Sequence, residues 1–241
     1  MPLDYDSFSS SLGIRENAFG NPVGNALPDW QGTARLPDIE LTGRTCRLVP
    51  YASTYASSLY NAFSEDDGRM WSYLPYGPHH NAQAIDKSIQ DYQKNRDFHT
   101  FVVLTDETPA GYTSFMRYDL AHGCVEVGGV TWSPGLQRST AATEAMYLMM
   151  KHAFDHGYRR YEWKCNQLNL PSSRAALRLG FTFEGVFRNH QVARGSRRDT
   201  AWYSVIIEEW PQVRARLEAW LDPVNFDTDD SQKRALRDIP L

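Results

Sequence analysis

The chain has little that would staple, span or clamp. It holds only three cysteines, Cys46, Cys124 and Cys165, in 241 residues. An odd, widely spaced set matches neither a disulfide framework nor a zinc site, so reduced thiols in a cytoplasmic protein are expected. Long apolar runs are missing too. The longest, Ala145 to Met150, falls far short of a membrane span, and the start MPLDYDSF is acidic without an apolar core, so neither anchor nor secretory signal is expected. Charge of one sign is not in excess. With 25 Lys and Arg against 29 Asp and Glu, the net charge of −4 offers no general attraction to nucleic acid or an anionic membrane, and mildly favours a cationic partner such as an amine. There is no internal repeat, low-complexity run, Walker loop or G-x-G-x-x-G. His79-His80 is not a metal pair, since adjacent side chains diverge and no i,i+4 His or carboxylate completes a site; no metal is expected.

What is present suits a buried core: 41% of residues are apolar and 13% aromatic, enough for one large domain with extensions. Residues 1–40 carry Gly20, Pro22, Gly24, Pro28 and Pro37, which prevent any long element, with Leu27 and Trp30 as anchors for a strap; a substrate lid is the alternative. Cys46 to Tyr51 reads as a strand, and Ser53 is placed to cap a helix running to Phe63. The rigid loop Trp71-Ser72-Tyr73-Leu74-Pro75-Tyr76-Gly77-Pro78 follows, then an amphipathic helix over 81–95. Phe98–Leu104 and Gly111–Tyr118 form a hairpin through Thr105–Ala110. Phe181–Ala193 and Arg198–Ile207 form another around Gly195, Glu208–Leu221 is a closing helix, and 222–241 reverts to a polar tail. The divisions are therefore 1–40, 41–221 and 222–241, and the class is α+β.

The densest stretch is 124–185. Val125–Trp132 is β-rich, Pro134-Gly135 breaks it, and Thr140–His156 places Ala142, Ala145, Met146, Met149 and Ala153 at helical spacing before Gly157 closes the helix. Tyr158–Cys165 is a second strand, and Pro171-Ser172 opens a short helix that Gly180 ends. The N-terminus of the first helix is suited to an anion such as phosphate.

The turn Gln137-Arg138-Ser139-Thr140-Ala141-Ala142, followed by Thr143-Glu144-Ala145, resembles the pyrophosphate-binding turn of the GNAT superfamily of acyl-CoA-dependent N-acetyltransferases. Its usual pattern is Q/R-x-x-G-x-G/A; Gln137 and Ala142 match, and Thr140 stands where the first glycine is usual. Asn169-x-x-Ser172 with Gly180-Phe181 matches a second family motif. With Tyr158-Arg159-Arg160, Phe183-Glu184-Gly185 and Arg198-Asp199-Thr200, the chain is similar to the branch of the ribosomal-protein alanine acetyltransferases RimJ and RimL over roughly 41–221.

The resemblance implies a GNAT fold, a mixed, mostly antiparallel central sheet of about seven strands flanked by helices. It implies acetyl-CoA as acyl donor and direct attack by a primary amine, whether a small molecule, an amino-acid-like compound or a protein N-terminus. A second copy of the chain is the remaining partner considered. Glu126 lies where many members place a catalytic glutamate, and a glutamate is a sensible base if burial raises its pKa; pairing with an arginine across the sheet is the plainer reading. A bulge at Gly128-Gly129 would free N–H groups such as those of Val130 or Trp132 for the carbonyl oxygen. Gln137, Arg138, Ser139, Thr140, Ala141 and Ala142 would hold the pyrophosphate through N–H groups, and Asn169 would meet the pantetheine.

Ser172 caps its helix or, since Ala176 occupies the position where many members carry a tyrosine general acid, delivers the proton in its place; a water or another tyrosine are the other candidates for that role. Trp71, Tyr73 and Tyr76 would wall the amine site, unless they pack into the core. His190 would join them, and Arg188, Arg194, Arg197 and Arg198 on the same hairpin are either solvated or aimed at an acidic group on the acceptor. Cys165 reads as a core thiol rather than a nucleophile. A rival reading is a catalytically inactive acyl-CoA-binding or regulatory protein, suggested by Thr140 and Ala176.

Overall fold

The computed structural model describes residues 13–229 and 231–239. The expectations resting on MPLDYDSF therefore lie outside the described residues. The chain divides into two compact units, with the break between Gly32 and Thr33 rather than after residue 40. In the first, β1 (Ile14–Glu16) and β2 (Pro22–Gly24) form a short antiparallel hairpin. The Asn17 side chain accepts from the N–H groups of Phe19 and Asn21, which fixes its turn.

The second unit is built on an eight-stranded sheet, ordered β3-β4-β5-β6-β7-β8-β10-β9. These strands are β3 (Leu41–Thr42), β4 (Arg47–Pro50), β5 (His99–Thr105), β6 (Thr108–Asp119), β7 (Cys124–Trp132), β8 (Arg160–Asn166), β9 (Thr182–Ala193) and β10 (Ser196–Ile206). The two-residue β3 brings the count above the seven expected. Every pairing is antiparallel except β7 with β8, which must be parallel because a helical crossover joins them.

The β5–β6 and β9–β10 turns are tighter than sequence spacing implies. Asp106 and Glu107 both adopt positive φ, as do Arg194 and Gly195, the signature of two-residue type I′ hairpins. Pro109 therefore lies within β6, beside a register shift that tolerates its missing N–H.

Five helices cover the sheet: α1 (Ala56–Phe63), α2 (Ala82–Arg96), α3 (Thr140–Asp155), α4 (Leu170–Leu179) and α5 (Trp210–Leu221). The two faces separate by the period of two along β5. Phe101 and Val103 join one core with Met146, Met149 and Ala153 of α3, Ala176 and Leu179 of α4, and Leu217 of α5. Val102 and Leu104 join the other with Leu59 and Phe63 of α1 and Ile85 and Ile89 of α2. No helix among the described residues is long and apolar enough to cross a membrane.

Capping departs from expectation at two points. Ser53 does not cap α1: a 3-10 turn over Ser53–Tyr55 precedes that helix, and the Ser53 hydroxyl instead accepts from Gln90 of α2. After α5 the chain does not trail off. Phe226, Leu236 and Ile239 are buried in the larger core, and the buried Asn225 side chain donates to the carbonyls of Trp220 and Arg234. Apolar residues spaced through 222–239 dock this segment, although its composition is polar.

Candidate active site

The strand pair β7–β8 stays in register from Cys124 opposite Arg160 to Val127 opposite Trp163, and then parts. Two backbone features force the split. β7 bulges between its contacts with Tyr112 and Ser114, and Gly129 sits there at φ +61, a conformation that L side chains avoid. A Cβ on Gly128 would come within 2.2 Å of Met116 Sδ, so the methionine side chain would have to move to admit it. The expected bulge is therefore present, and the segment from Gly128 to Trp132 has no strand partner on its β8 side.

This split opens into a cavity of about 660 Å³. β7 supplies residues 126–130, β8 and the start of α4 supply 163–166, Asn169 and Ser172, and β6 supplies Met116 and Arg117. The far wall comes from the aromatic loop at 73–76, Tyr92 and Phe98, and from Gln191, Val192 and Arg198 of the last hairpin.

Glu126 lines this cavity and is 2% exposed. Burial drives its pKa up to about 7, against the opposing charges of Lys164 and Arg117. Its Oε2 lies 2.7 Å from Lys164 Nζ and 3.3 Å from Arg117 Nε, ion-pair distances at which neither cation is aligned as a hydrogen-bond donor. Cross-sheet pairing and burial thus act on the same carboxylate. Lys164 is pushed down by its own burial, which Glu126 opposes. Burial thus works against the charged form of both partners, and Glu126, at about 7, can take up and release a proton near neutral pH. Lys164 and Arg117 both lie over the Trp202 ring, at 4.8 and 5.9 Å from its centroid.

Outside the residues that line this cavity, Ser139 caps α3. Its hydroxyl accepts from the Ala142 N–H at 3.0 Å and donates to the Leu136 carbonyl at 2.7 Å. This corrects the expectation for Ala142 and Ser139: the Ala142 N–H is engaged by Ser139 Oγ, and the Ser139 N–H by Leu136 O. The N–H groups of Arg138, Thr140 and Ala141 have no partner among the described residues. Arg138 stands at φ +63, which turns its N–H out of the loop's own hydrogen-bonding pattern. Gln137 spends its side-chain amide on the Trp132 carbonyl, at 2.9 Å. Three open donors at a helix start fit a pyrophosphate.

The capping role expected of Ser172 falls to Asn169. Asn169 is the cap of α4, its side chain accepting from the Ser172 N–H at 3.2 Å, and Ser172 is free of that duty. The Ser172 oxygen accepts from the Trp163 indole N–H at 3.0 Å, which leaves its hydroxyl proton to point elsewhere. Ala176 is fully buried and faces the core. Cys165 is buried, with its thiol 3.5 Å from the Ser173 hydroxyl.

The aromatic loop divides. Tyr73 and Tyr76 line the cavity, and the Tyr76 hydroxyl bonds that of Thr131 at 3.0 Å. Trp71 does not line it: at 4% exposure it packs edge-on to Phe63 in the second core and fills the space that a side chain on Gly77 would take. Val130 lines the cavity, whereas Trp132 does not. His190 also lies outside it, bonded through Nδ1 to the Thr200 hydroxyl at 2.9 Å beside a separate surface depression. The arginine cluster disperses as well, with Arg197 held by Asp199 and Arg194 donating to the Trp71 carbonyl at 3.1 Å. Among the described residues no group of three or more His, Cys, Asp or Glu is arranged for a metal ion.

Sequence reading missed Lys164 and Arg117. The signal for Lys164 was present: in Tyr161-Glu162-Trp163-Lys164-Cys165-Asn166 the alternate residues Tyr161, Trp163 and Cys165 are buried, so a polar face on this interior strand had to meet something other than a core.

The model of the acetyltransferase (GNAT) domain family matches residues 46–182. A GCN5-related N-acetyltransferase from Brucella melitensis is 39% identical, with 88% of this chain and 99% of that one aligned at a TM-score of 0.85. A probable acetyltransferase of the GNAT family from Chromobacterium violaceum is 34% identical over 79% of this chain and 98% of that one, at 0.75. Mycobacterium smegmatis RimJ in complex with CoA-disulfide is 19% identical over 72% and 88%, at 0.62, a likeness of fold alone. No curated protein matches the chain.

Proposed function

The chain belongs to the GNAT acetyltransferase family, whose chemistry is acetyl transfer, and on that premise we propose that it moves an acetyl group from acetyl-CoA directly onto a primary amine. The observation that carries this reading is a buried carboxylate raised to about 7 on the wall of the cavity that opens where β7 and β8 part, in a chain whose α3 begins with three unpartnered N–H groups.

The bound donor supplies a thioester carbonyl open to attack. Arg138, Thr140 and Ala141 hold its pyrophosphate through backbone N–H groups, with the α3 dipole adding to the attraction. The unpaired edge of β7 around Val130 offers N–H groups to the carbonyl oxygen, where charge develops during attack. Glu126 accepts a proton from the incoming ammonium, at a pKa matched to a task near pH 7. As the adduct collapses the nitrogen sheds its second proton, and Ser172, its oxygen already engaged by Trp163, relays it by giving its own hydroxyl proton to the departing thiolate and taking the nitrogen's in exchange. Tyr73 and Tyr76 line the acceptor's entry.

The test is release of free thiol from acetyl-CoA with a panel of amines and amino acids, beside calorimetry of CoA binding. Turnover with at least one amine is expected. Tight CoA binding with no turnover across the panel would favour a regulatory acyl-CoA-binding role instead, and no CoA binding would overturn both.

A further inference from the structure

A cation withdrawn from water needs a counter-ion or a full set of acceptors. The cavity wall carries three cations, Arg117, Lys164 and Arg198, and one carboxylate, Glu126. Lys164 and Arg117 both contact Glu126. The Arg198 side chain has no ion pair or hydrogen bond among the described residues, and its Nε is sealed from solvent without a partner. Its neighbours on the hairpin are engaged: Arg197 by Asp199 and Arg194 by the Trp71 carbonyl. A register shift between Arg198 and Thr200 re-aims this part of β10, and Arg198 ends on the cavity wall with Asn166 and Gln191. Burial lowers its pKa, with the charge of Glu126 acting the other way.

The charge balance bears on the acceptor. An alkylammonium entering this cavity would add a fourth positive charge against one carboxylate. An acceptor that brings its own anion would supply what Arg198 lacks, in the two-pronged geometry that guanidinium and carboxylate share. We infer that the acceptor is a primary amine carrying a carboxylate, its amino end toward Glu126 and its carboxylate on Arg198. This rests on the transferase reading above and narrows it to amino acids and compounds built like them. Arg198 is then a specificity-determining residue, and the separation of amine and carboxylate in the preferred acceptor reports its distance from Glu126.

The experiment compares glycine, β-alanine, γ-aminobutyrate and 6-aminohexanoate with alkylamines of matching chain length. It measures kcat/KM at saturating acetyl-CoA, and calorimetric affinity for the CoA-loaded protein. At least one carboxylated member should exceed its alkylamine by about 10–100-fold, the range for a hydrogen-bonded charge pair. Arg198→Gln should bring that ratio close to one, and Arg198→Lys should restore part of it. If the variant fails to fold, the wild-type ratio decides by itself. Carboxylated probes that bind preferentially without being acetylated would uphold the anion site and sink the transferase reading. Transfer to alkylamines and amino acids at equal kcat/KM would uphold the transferase and sink the anion site. Binding of none of the carboxylated probes would also overturn it.

Discussion

The proposed donor and acceptor sites are built in different ways. The donor site is local, the turn before α3 and its Ser139 cap, and presents backbone N–H groups. The acceptor end is made of side chains from β6, β8, β10, α2 and the aromatic loop, which meet only in the folded chain. A phosphate group is the same in every acyl donor, so fixed backbone donors suit it. An acceptor differs from enzyme to enzyme, and side chains can change without disturbing the sheet.

The contrast is broken most forcefully at Glu126, the carboxylate on the cavity wall. Glu126→Gln should lower kcat by about 10²–10⁴-fold, the range for loss of a general base, while CoA affinity stays within about twofold. The wild-type rate should rise with pH through about 7, because Glu126 must be deprotonated to accept a proton, and the variant should lose that rise. Near-normal turnover in the variant across pH 6–9 would leave Glu126 as a partner for Lys164 and nothing more.

The aromatic loop gives a contrast within the acceptor end itself. Trp71→Ala should cost about 3–5 kcal/mol of stability, read as a lower urea midpoint, because the ring is packed into the second core. Equal stability in that variant would contradict its place in the core.

At the donor end the sharpest probe is Thr140→Pro. Proline suits the first turn of a helix, and Ser139 before it is already extended at φ −83 and ψ 166, so α3 should survive. One open N–H disappears. The Kd for CoA should rise by about 10–100-fold at an unchanged melting temperature. Unchanged affinity would move the pyrophosphate away from this helix start.

The smallest effect is expected at Tyr73, 38% exposed at the cavity mouth. Tyr73→Ala should raise the acceptor KM about 3–10-fold, the loss of one aromatic contact, with the acetyl-CoA KM and the melting temperature near wild type. A variant that shifts both KM values together would place the ring in a structural role.

How well each end could be read from sequence follows the same division. The turn at 137–142, the stop at Gly157 and the helix start after Asn169 are local, and each was legible from a few neighbouring residues. Details of partner choice were not: nothing in the spacing says that Ser139 engages the Ala142 N–H, or that Asn169 rather than Ser172 caps α4. Trp71 and Tyr73 look alike in WSYLPYGP, yet one fills the core and the other faces the cavity, because that choice depends on Phe63 and on the space at Gly77.

By itself the sequence determined the run of strands and helices through the central unit and the bulge at Gly128-Gly129, while the family resemblance pointed to Glu126. The first two are set by backbone conformation and by periods of two and 3.6, which act over a few residues. Only the tertiary structure decided that Lys164 and Arg117 converge on Glu126, that Arg198 reaches the same cavity without a counter-ion, and that His190 does not reach it. Charge interactions depend on distance and exclusion from water, and both come into being only when strands far apart in the chain are paired.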